Sequence, residues 1–258
     1  MRFIQTENAE IEVDLINVKS TLAPIIFLHE GLGSVAMWRS KGGYWPELVC
    51  QATGRNGLVY SRRGYGQSSS VADVRGANRL QPDYMHREAW EVLPELLTAL
   101  QIENPVLLGH SDGATIALLF ASRFATSACI AMAPHVMVED ISIRSIEAAK
   151  LAYERGELKT RLAKFHQDVD CAFWQWNDVW LSSAFRSFDI RKECRQIACP
   201  VLAMQGRQDA YGTLQQIDDI APAGAIQRQV IESCGHSPHR DQPAETMAYV
   251  TSFLADKA

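Results

Sequence analysis

The sequence predicts an α/β protein: a mostly parallel, eight-stranded sheet with helices on both faces and an inserted helical cap. Three observations carry this. Short apolar runs of strand character alternate with helix-length runs up to Ala133 and again from about Ala198. A glycine-flanked turn, Gly109-His110-Ser111-Asp112-Gly113, joins one such strand to one such helix. Between about Pro134 and Ile197 the alternation lapses and only helical runs remain. The expected organisation is therefore a core domain over 1–133 and 198–258, with a cap over 134–197.

Each element has a local reason. Glu10 to Leu15 alternates with period two, as a half-exposed antiparallel strand does, and the first strands are expected to pair that way. Pro24 to His29, Gly57 to Tyr60, Pro105 to Leu108, Ala128 to Ala133 and Cys199 to Gly206 are apolar throughout, the mark of strands buried on both faces. Gln227 to Ile231 reads as the last strand. A helix is centred on Trp45 to Val49. Tyr84 to Leu100 places Trp90, Leu93, Leu96 and Leu97 on one helical face, and Pro94 should kink or split it. Ala114 to Ala121 is apolar on every side, so it is a buried helix. The cap is expected to hold helices over Ile143 to Tyr153 and Leu158 to His166, and it carries Trp174, Trp176 and Trp180.

Strand, Gly-x-Ser-x-Gly and helix together define a nucleophile elbow. Side chains at either glycine would clash where the chain turns so sharply. Ser111 would stand at the tip. A serine hydroxyl is a poor nucleophile until a base accepts its proton and a third group orients that base. His236 follows Gly235 just after the last strand, and Asp209 lies just beyond the end of the preceding one. The expected catalytic residues are therefore Ser111, Asp209 and His236. Glu139 or Asp140, after the earlier strand, is the rival site for the acid, while Asp218 and Asp219 lie too far past the strand end. His239 reads as a loop or supporting residue and His110 as support for the turn. Glu30-Gly31-Leu32-Gly33 follows an apolar strand, so a backbone N–H of this loop and that of Asp112 are the expected oxyanion-hole donors.

These motifs resemble the α/β-hydrolase superfamily across essentially the whole chain. Ser61-Arg62-Arg63-Gly64-Tyr65-Gly66-Gln67-Ser68 is similar to its D-x-R-G-x-G-x-S segment, with Ser61 where Asp is usual. His29-Glu30-Gly31 resembles its His-Gly oxyanion loop, with Glu30 where Gly is usual, and the resemblance implies Gly31 as the loop amide of the oxyanion hole. Ser111-Asp112-Gly113 is similar to valacyclovir-hydrolase-like esterases. The resemblance implies a serine hydrolase that cleaves a small-molecule ester or related acyl bond through an acyl-enzyme. It equally admits a carbon–carbon hydrolase of ring-cleavage products, or a small-molecule receptor on this fold like the karrikin and strigolactone receptors. Haloalkane dehalogenase and epoxide hydrolase chemistry would need Asp in place of Ser111.

Glu30, Trp174 and Trp176 are the expected substrate-binding residues. Glu30 and Asp112 could form an anionic lip that selects cationic substrates, or Asp112 could serve only the helix terminus. Arg62 and Arg63 are expected to anchor their loop. His166, Asp168, Asp170 and Asp178 fit no metal-ligand spacing and are expected on a solvated cap surface. No cofactor or metal is expected. A net charge of -5 argues against nucleic acid or an anionic membrane as partner, leaving a small-molecule substrate. No apolar run approaches the roughly 18 residues of a membrane span. The N-terminus lacks a signal-peptide core, Asp256-Lys257-Ala258 carries no lipidation motif, and the six cysteines form no C-x-x-C pair. A cytoplasmic protein with reduced cysteines is the expectation.

Overall fold

The computed structural model describes residues 2–255; Met1 and the segment Asp256–Ala258 lie outside them. The strands are β1 (Arg2–Gln5), β2 (Glu10–Ile16), β3 (Ile25–Leu28), β4 (Gly57–Tyr60), β5 (Val106–His110), β6 (Ala128–Met132), β7 (Val201–Gly206) and β8 (Ile226–Ile231). They form one eight-stranded sheet in the order β1-β2-β4-β3-β5-β6-β7-β8. The pairs β1/β2 and β2/β4 are antiparallel and the other neighbours are parallel. A two-residue hairpin, Arg39–Ser40 against Gly43–Tyr44, stands apart.

The helices are α1 (Trp45–Thr53), α2 (Tyr84–Arg87), α3 (Leu93–Ala99), α4 (Asp112–Ala121), α5 (Asp140–Glu154), α6 (Glu157–Leu162), α7 (Val169–Trp180), α8 (Arg191–Cys194), α9 (Gln215–Asp218), α10 (Pro238–Asp241) and α11 (Pro243–Ala255). Successive strand residues point to opposite faces, so the apolar strands feed two cores. Ile26, Leu28, Leu58, Leu107, Cys129, Ala131 and Ala203 pack with α4 on one side. Ile25, Phe27, Val59, Leu108, Ile130, Met132 and Met204 pack with residues of α1 and α11 on the other. All ten residues of α4 are buried, as its uniform apolarity requires.

Pro94 acts as expected, with a particular geometry. One π-helical turn, Glu88–Val92, separates α2 from α3 just before it. Proline has no N–H to close the i→i−4 bond to the Trp90 carbonyl, so the ladder rearranges there.

The stretch between β6 and β7 is helical. An isolated antiparallel bridge, Met137 to Asp189, closes its base. Beyond that bridge Ile190, Cys194 and Ile197 are buried in the same core as α4. Leu158 to His166 is only partly helical, because α6 ends at Leu162. Among the described residues, no helix is long and apolar enough to cross a membrane.

Candidate active site

Ser111 links β5 to α4 with φ 55° and ψ −121°. A non-glycine residue held there costs about 1–3 kcal/mol and persists only where its surroundings enforce it. Both flanking glycines show that enforcement. A Cβ on Gly109 would fall 2.1 Å from the Gly113 carbonyl oxygen, and one on Gly113 would fall 2.0 Å from that of Leu28. The Ser111 N–H donates to Met132 O at 2.9 Å, fixing the turn against β6.

The hydroxyl of Ser111 lies 2.9 Å from His236 Nε2. Nδ1 of the same ring lies 2.8 and 2.9 Å from the two carboxylate oxygens of Asp209. Tyr211 N–H donates to Asp209 Oδ1 at 2.7 Å and Gln205 Nε2 to Oδ2 at 2.6 Å. Burial pushes the Asp209 carboxyl up, but the hydrogen bond and charge of His236 and the Tyr211 N–H outweigh it, leaving the group below its ordinary value. An ionised Asp209 fixes the proton on His236 Nδ1 and leaves Nε2 as the acceptor facing Ser111.

The rival acids are engaged elsewhere. Glu139 accepts from Thr213 N–H, the Thr213 hydroxyl and Gln216 Nε2, and Asp140 pairs with Arg186 at 3.1 Å. Asp219 pairs with Arg191, and Asp218 is the last residue of α9.

The loop after β3 adjoins the turn at Gly113, where a Cβ would also fall 2.6 Å from His29 O. Its carbonyls are tied down from behind. Arg62 is buried and donates to His29 O at 2.7 Å and Glu30 O at 3.0 Å. His166 Nε2–H donates to Leu32 O at 3.0 Å, while its Nδ1 accepts from Gly66 N–H at 2.9 Å. Among the described residues the N–H groups of Gly31 and Asp112 donate to no internal acceptor, so both are free for an incoming anion. Arg62 thus anchors its loop as expected, whereas Arg63 is exposed. The Asp that Ser61 replaces has a substitute from another strand. Buried Glu12 of β2 accepts from the Ser61 hydroxyl at 2.7 Å and from Gln67 N–H at 2.9 Å.

Two expectations about the helical segment are corrected. His166 and Asp178 do not lie on a solvated surface: His166 is buried between two loops, and Asp178 is paired with Arg75 at 2.8 Å. Asp168 caps α7 by accepting from Cys171 N–H, and Asp170 is ion-paired with Lys159 at 2.7 Å. Trp174 makes its ring contacts with Arg75 and with neighbours in the helical segment. Arg75 lies 3.8 Å over its ring, and Tyr153 and Phe173 meet its edges. Trp176 reaches the loop after β3: a Cβ on Gly31 would fall 2.2 Å from its Nε1.

Sequence reasoning missed several neighbours. Trp180 donates from Nε1 to Tyr84 OH at 3.0 Å, and Tyr84 OH donates to Asp112 Oδ2 at 2.5 Å. Burial raises the Asp112 carboxyl above its ordinary value despite Arg62 and Tyr84. His135 lies 4.9 Å from the Trp180 ring and 5.6 Å from His236; burial, followed by the charge of His236, pushes it down to about 3. Tyr211 flanks His236 at 4.7 Å. None of these belongs to a local motif, and only position after a strand end could have marked His135. Glu30 Oε2 lies 3.3 Å from His110 Nδ1 and Oε1 lies 3.4 Å from Arg240. The carboxylates of Glu30 and Asp112 therefore have separate protein partners. Among the described residues no cluster of three or more His, Cys, Asp or Glu side chains could hold a metal ion.

The chain belongs to the alpha/beta hydrolase family, whose family model matches residues 25–248. It is 24% identical to the sn-1-specific diacylglycerol lipase of Mus musculus over 286 aligned positions, covering 96% of this chain and 88% of that one. It is 25% identical over 260 positions to the 2-succinyl-6-hydroxy-2,4-cyclohexadiene-1-carboxylate synthase of Klebsiella pneumoniae (strain 342), covering 90% and 93%. A thermophilic esterase from Thermogutta terrifontis superposes with a TM-score of 0.73 at 18% identity, covering 100% of this chain and 99% of that one. The enol-lactonase of Burkholderia xenovorans LB400 superposes at 0.71 with 18% identity, covering 98% and 100%. The structural likenesses show the shared fold. With the family match and the sequence relatives, they make the protein a hydrolase.

Proposed function

We propose that the protein hydrolyses a carboxylic ester or related acyl bond of a small molecule through an acyl-enzyme on Ser111. The observation that carries this reading is the continuous hydrogen-bond chain Ser111 Oγ–His236–Asp209, with steps of 2.9 and 2.8 Å. His236 Nε2 takes the hydroxyl proton as Oγ attacks the acyl carbon. The oxyanion that forms is received by the N–H groups of Gly31 and Asp112, the latter at the N-terminus of α4, where the helix dipole favours negative charge. His236 then returns the proton to the leaving alcohol. A water attacks the acyl-enzyme by the same route and frees Ser111.

The helices over 138–188 serve as a cap in this reading. Trp176 and Trp180 approach the site from α7 and exclude water, which strengthens every charge interaction there. The lipase and the esterase among its relatives favour ester cleavage. The synthase and enol-lactonase relatives show that the fold accommodates other substrates.

A panel of p-nitrophenyl esters of increasing acyl length, run beside a ring-fission dienoate, tests the reading. Multiple turnovers of an ester by wild type, abolished in Ser111→Ala, are expected. Turnover of the dienoate alone would move the function to carbon–carbon cleavage. A single slow turnover of every compound would make it a receptor.

A further inference from the structure

We propose that His110 and Glu30 form a positioning pair that holds the His236 loop in register with Ser111. This rests on the triad reading above and goes beyond it, because neither residue touches the reacting atoms.

His110 closes β5 and is 1% exposed. Its Nε2 lies 2.7 Å from the carbonyl oxygen of His236, and its Nδ1 lies 3.3 Å from Glu30 Oε2. A single imidazole thus spans the nucleophile turn, the oxyanion loop and the histidine loop. A carbonyl oxygen only accepts, so the proton on Nε2 is fixed. That leaves Nδ1 facing a carboxylate oxygen of Glu30. Burial pushes the Glu30 carboxyl up, but the hydrogen bond and charge of His110, with Arg240, hold it well below its ordinary range. Glu30 therefore stands as an ionised acceptor facing His110 Nδ1.

The surroundings leave the pair intact. His239 lies 5.0 Å from His110 edge-on, and burial with the His110 charge keeps it neutral. The His236 ring lies 5.2 Å away. Arg240 meets Glu30 from the far side at 3.4 Å and also donates to Met37 O at 2.7 Å. The rest of the His236 loop is fixed from other directions, by Gln208 Oε1 accepting from Cys234 N–H and Asp241 Oδ2 accepting from Gly235 N–H, each at 2.9 Å. The His236 carbonyl is held by His110. A glycine at position 30 could supply no such partner, which gives the departure at Glu30 a physical purpose.

Misplacing a reacting group by about 1 Å costs on the order of 10²-fold in rate. The test compares His110→Ala, His110→Gln, Glu30→Ala and Glu30→Gln. A glutamine at 110 can still donate to the His236 carbonyl, and one at 30 can still bond the ring. Two readouts are used: the rate at which a fluorophosphonate labels Ser111, and kcat and KM on a p-nitrophenyl ester. The low-field proton resonance of His236 Nδ1–H is followed alongside. The expected result is labelling and kcat down by roughly 10²-fold in His110→Ala and about tenfold in Glu30→Ala, with KM changed by less than about threefold. Both glutamine variants should recover much of the loss and restore the low-field resonance. Wild type left unlabelled would overturn the triad reading. Labelled wild type with equally fast labelling of His110→Ala would overturn the positioning pair alone, as would losses that glutamine does not recover. Should His110→Ala fail to fold, the two Glu30 variants carry the same test.

Discussion

The indole of Trp176 fills the space that a side chain at Gly31 would need, with Nε1 2.2 Å from where the Cβ would be. The tryptophan thus reads the absence of a side chain on the oxyanion loop. Gly31→Ala must displace either the indole or the loop amide. The expected outcome is a loss on the order of 10²-fold in kcat, comparable to losing one oxyanion donor, with the protein still folded. Steady-state kinetics and circular dichroism check it. Trp176→Ala in the Gly31→Ala background should recover part of the loss by making room.

Asp209→Asn should be nearly as damaging as removing the nucleophile. An amide cannot fix the proton on His236 Nδ1, and the same change in a serine-protease triad costs about 10⁴-fold. Glu139→Gln should be mild in comparison, because Glu139 serves Thr213 and Gln216 rather than His236. The kcat of the two variants on one ester decides. A mild Asp209→Asn with a severe Glu139→Gln or Asp140→Asn would move the acid to the earlier strand.

Tyr84→Phe should lower stability by about 1–3 kcal/mol, the cost of leaving a buried acceptor without its donor. Tyr84 OH serves Asp112 Oδ2 and accepts from Trp180, so one deletion frees two groups. Equilibrium urea unfolding measures it. No change in midpoint would mean that the Asp112 carboxylate has another partner in solution.

The protein should lose stability to mild acid. Burial holds His135 at about 3, and it holds His239 well below its ordinary value. In the unfolded chain both take up protons near the usual imidazole pKa of about 6.5. The unfolded state therefore binds more protons as pH falls, and stability that is complete above about 6.5 drains away below it. Each such histidine contributes up to about 1.4 kcal/mol per pH unit. Urea midpoints at about pH 7.5 and about pH 5.5 should fall accordingly, and less steeply in His135→Gln. Equal midpoints in wild type would contradict the burial argument.

Much of this site is local chemistry, which is why it is legible in the sequence. Ser111 is flanked by glycines that the turn demands. Asp209 and His236 each follow a strand end, and the apolar strands mark themselves by composition. What stays hidden depends on contacts far apart in the chain. Ser61 reads as a defect until Glu12 of the neighbouring strand β2 is seen accepting from its hydroxyl. His166 looks like a solvated residue because nothing near it in sequence is its partner; Gly66 and Leu32 are. Trp174 and Trp180 cannot be ranked from spacing alone. Which of them reaches Tyr84 and His135 is set by how α7 lies on the core, a matter of packing rather than of periodicity.

The most direct measurement is the mass of the protein after a brief quench with a slowly turned-over p-nitrophenyl ester. Wild type should gain the mass of one acyl group, and peptide mapping should place it on Ser111. Ser111→Ala should gain nothing, and Asp209→Asn should acylate far more slowly. An acyl group found on another residue, or turnover undiminished in Ser111→Ala, would contradict the account.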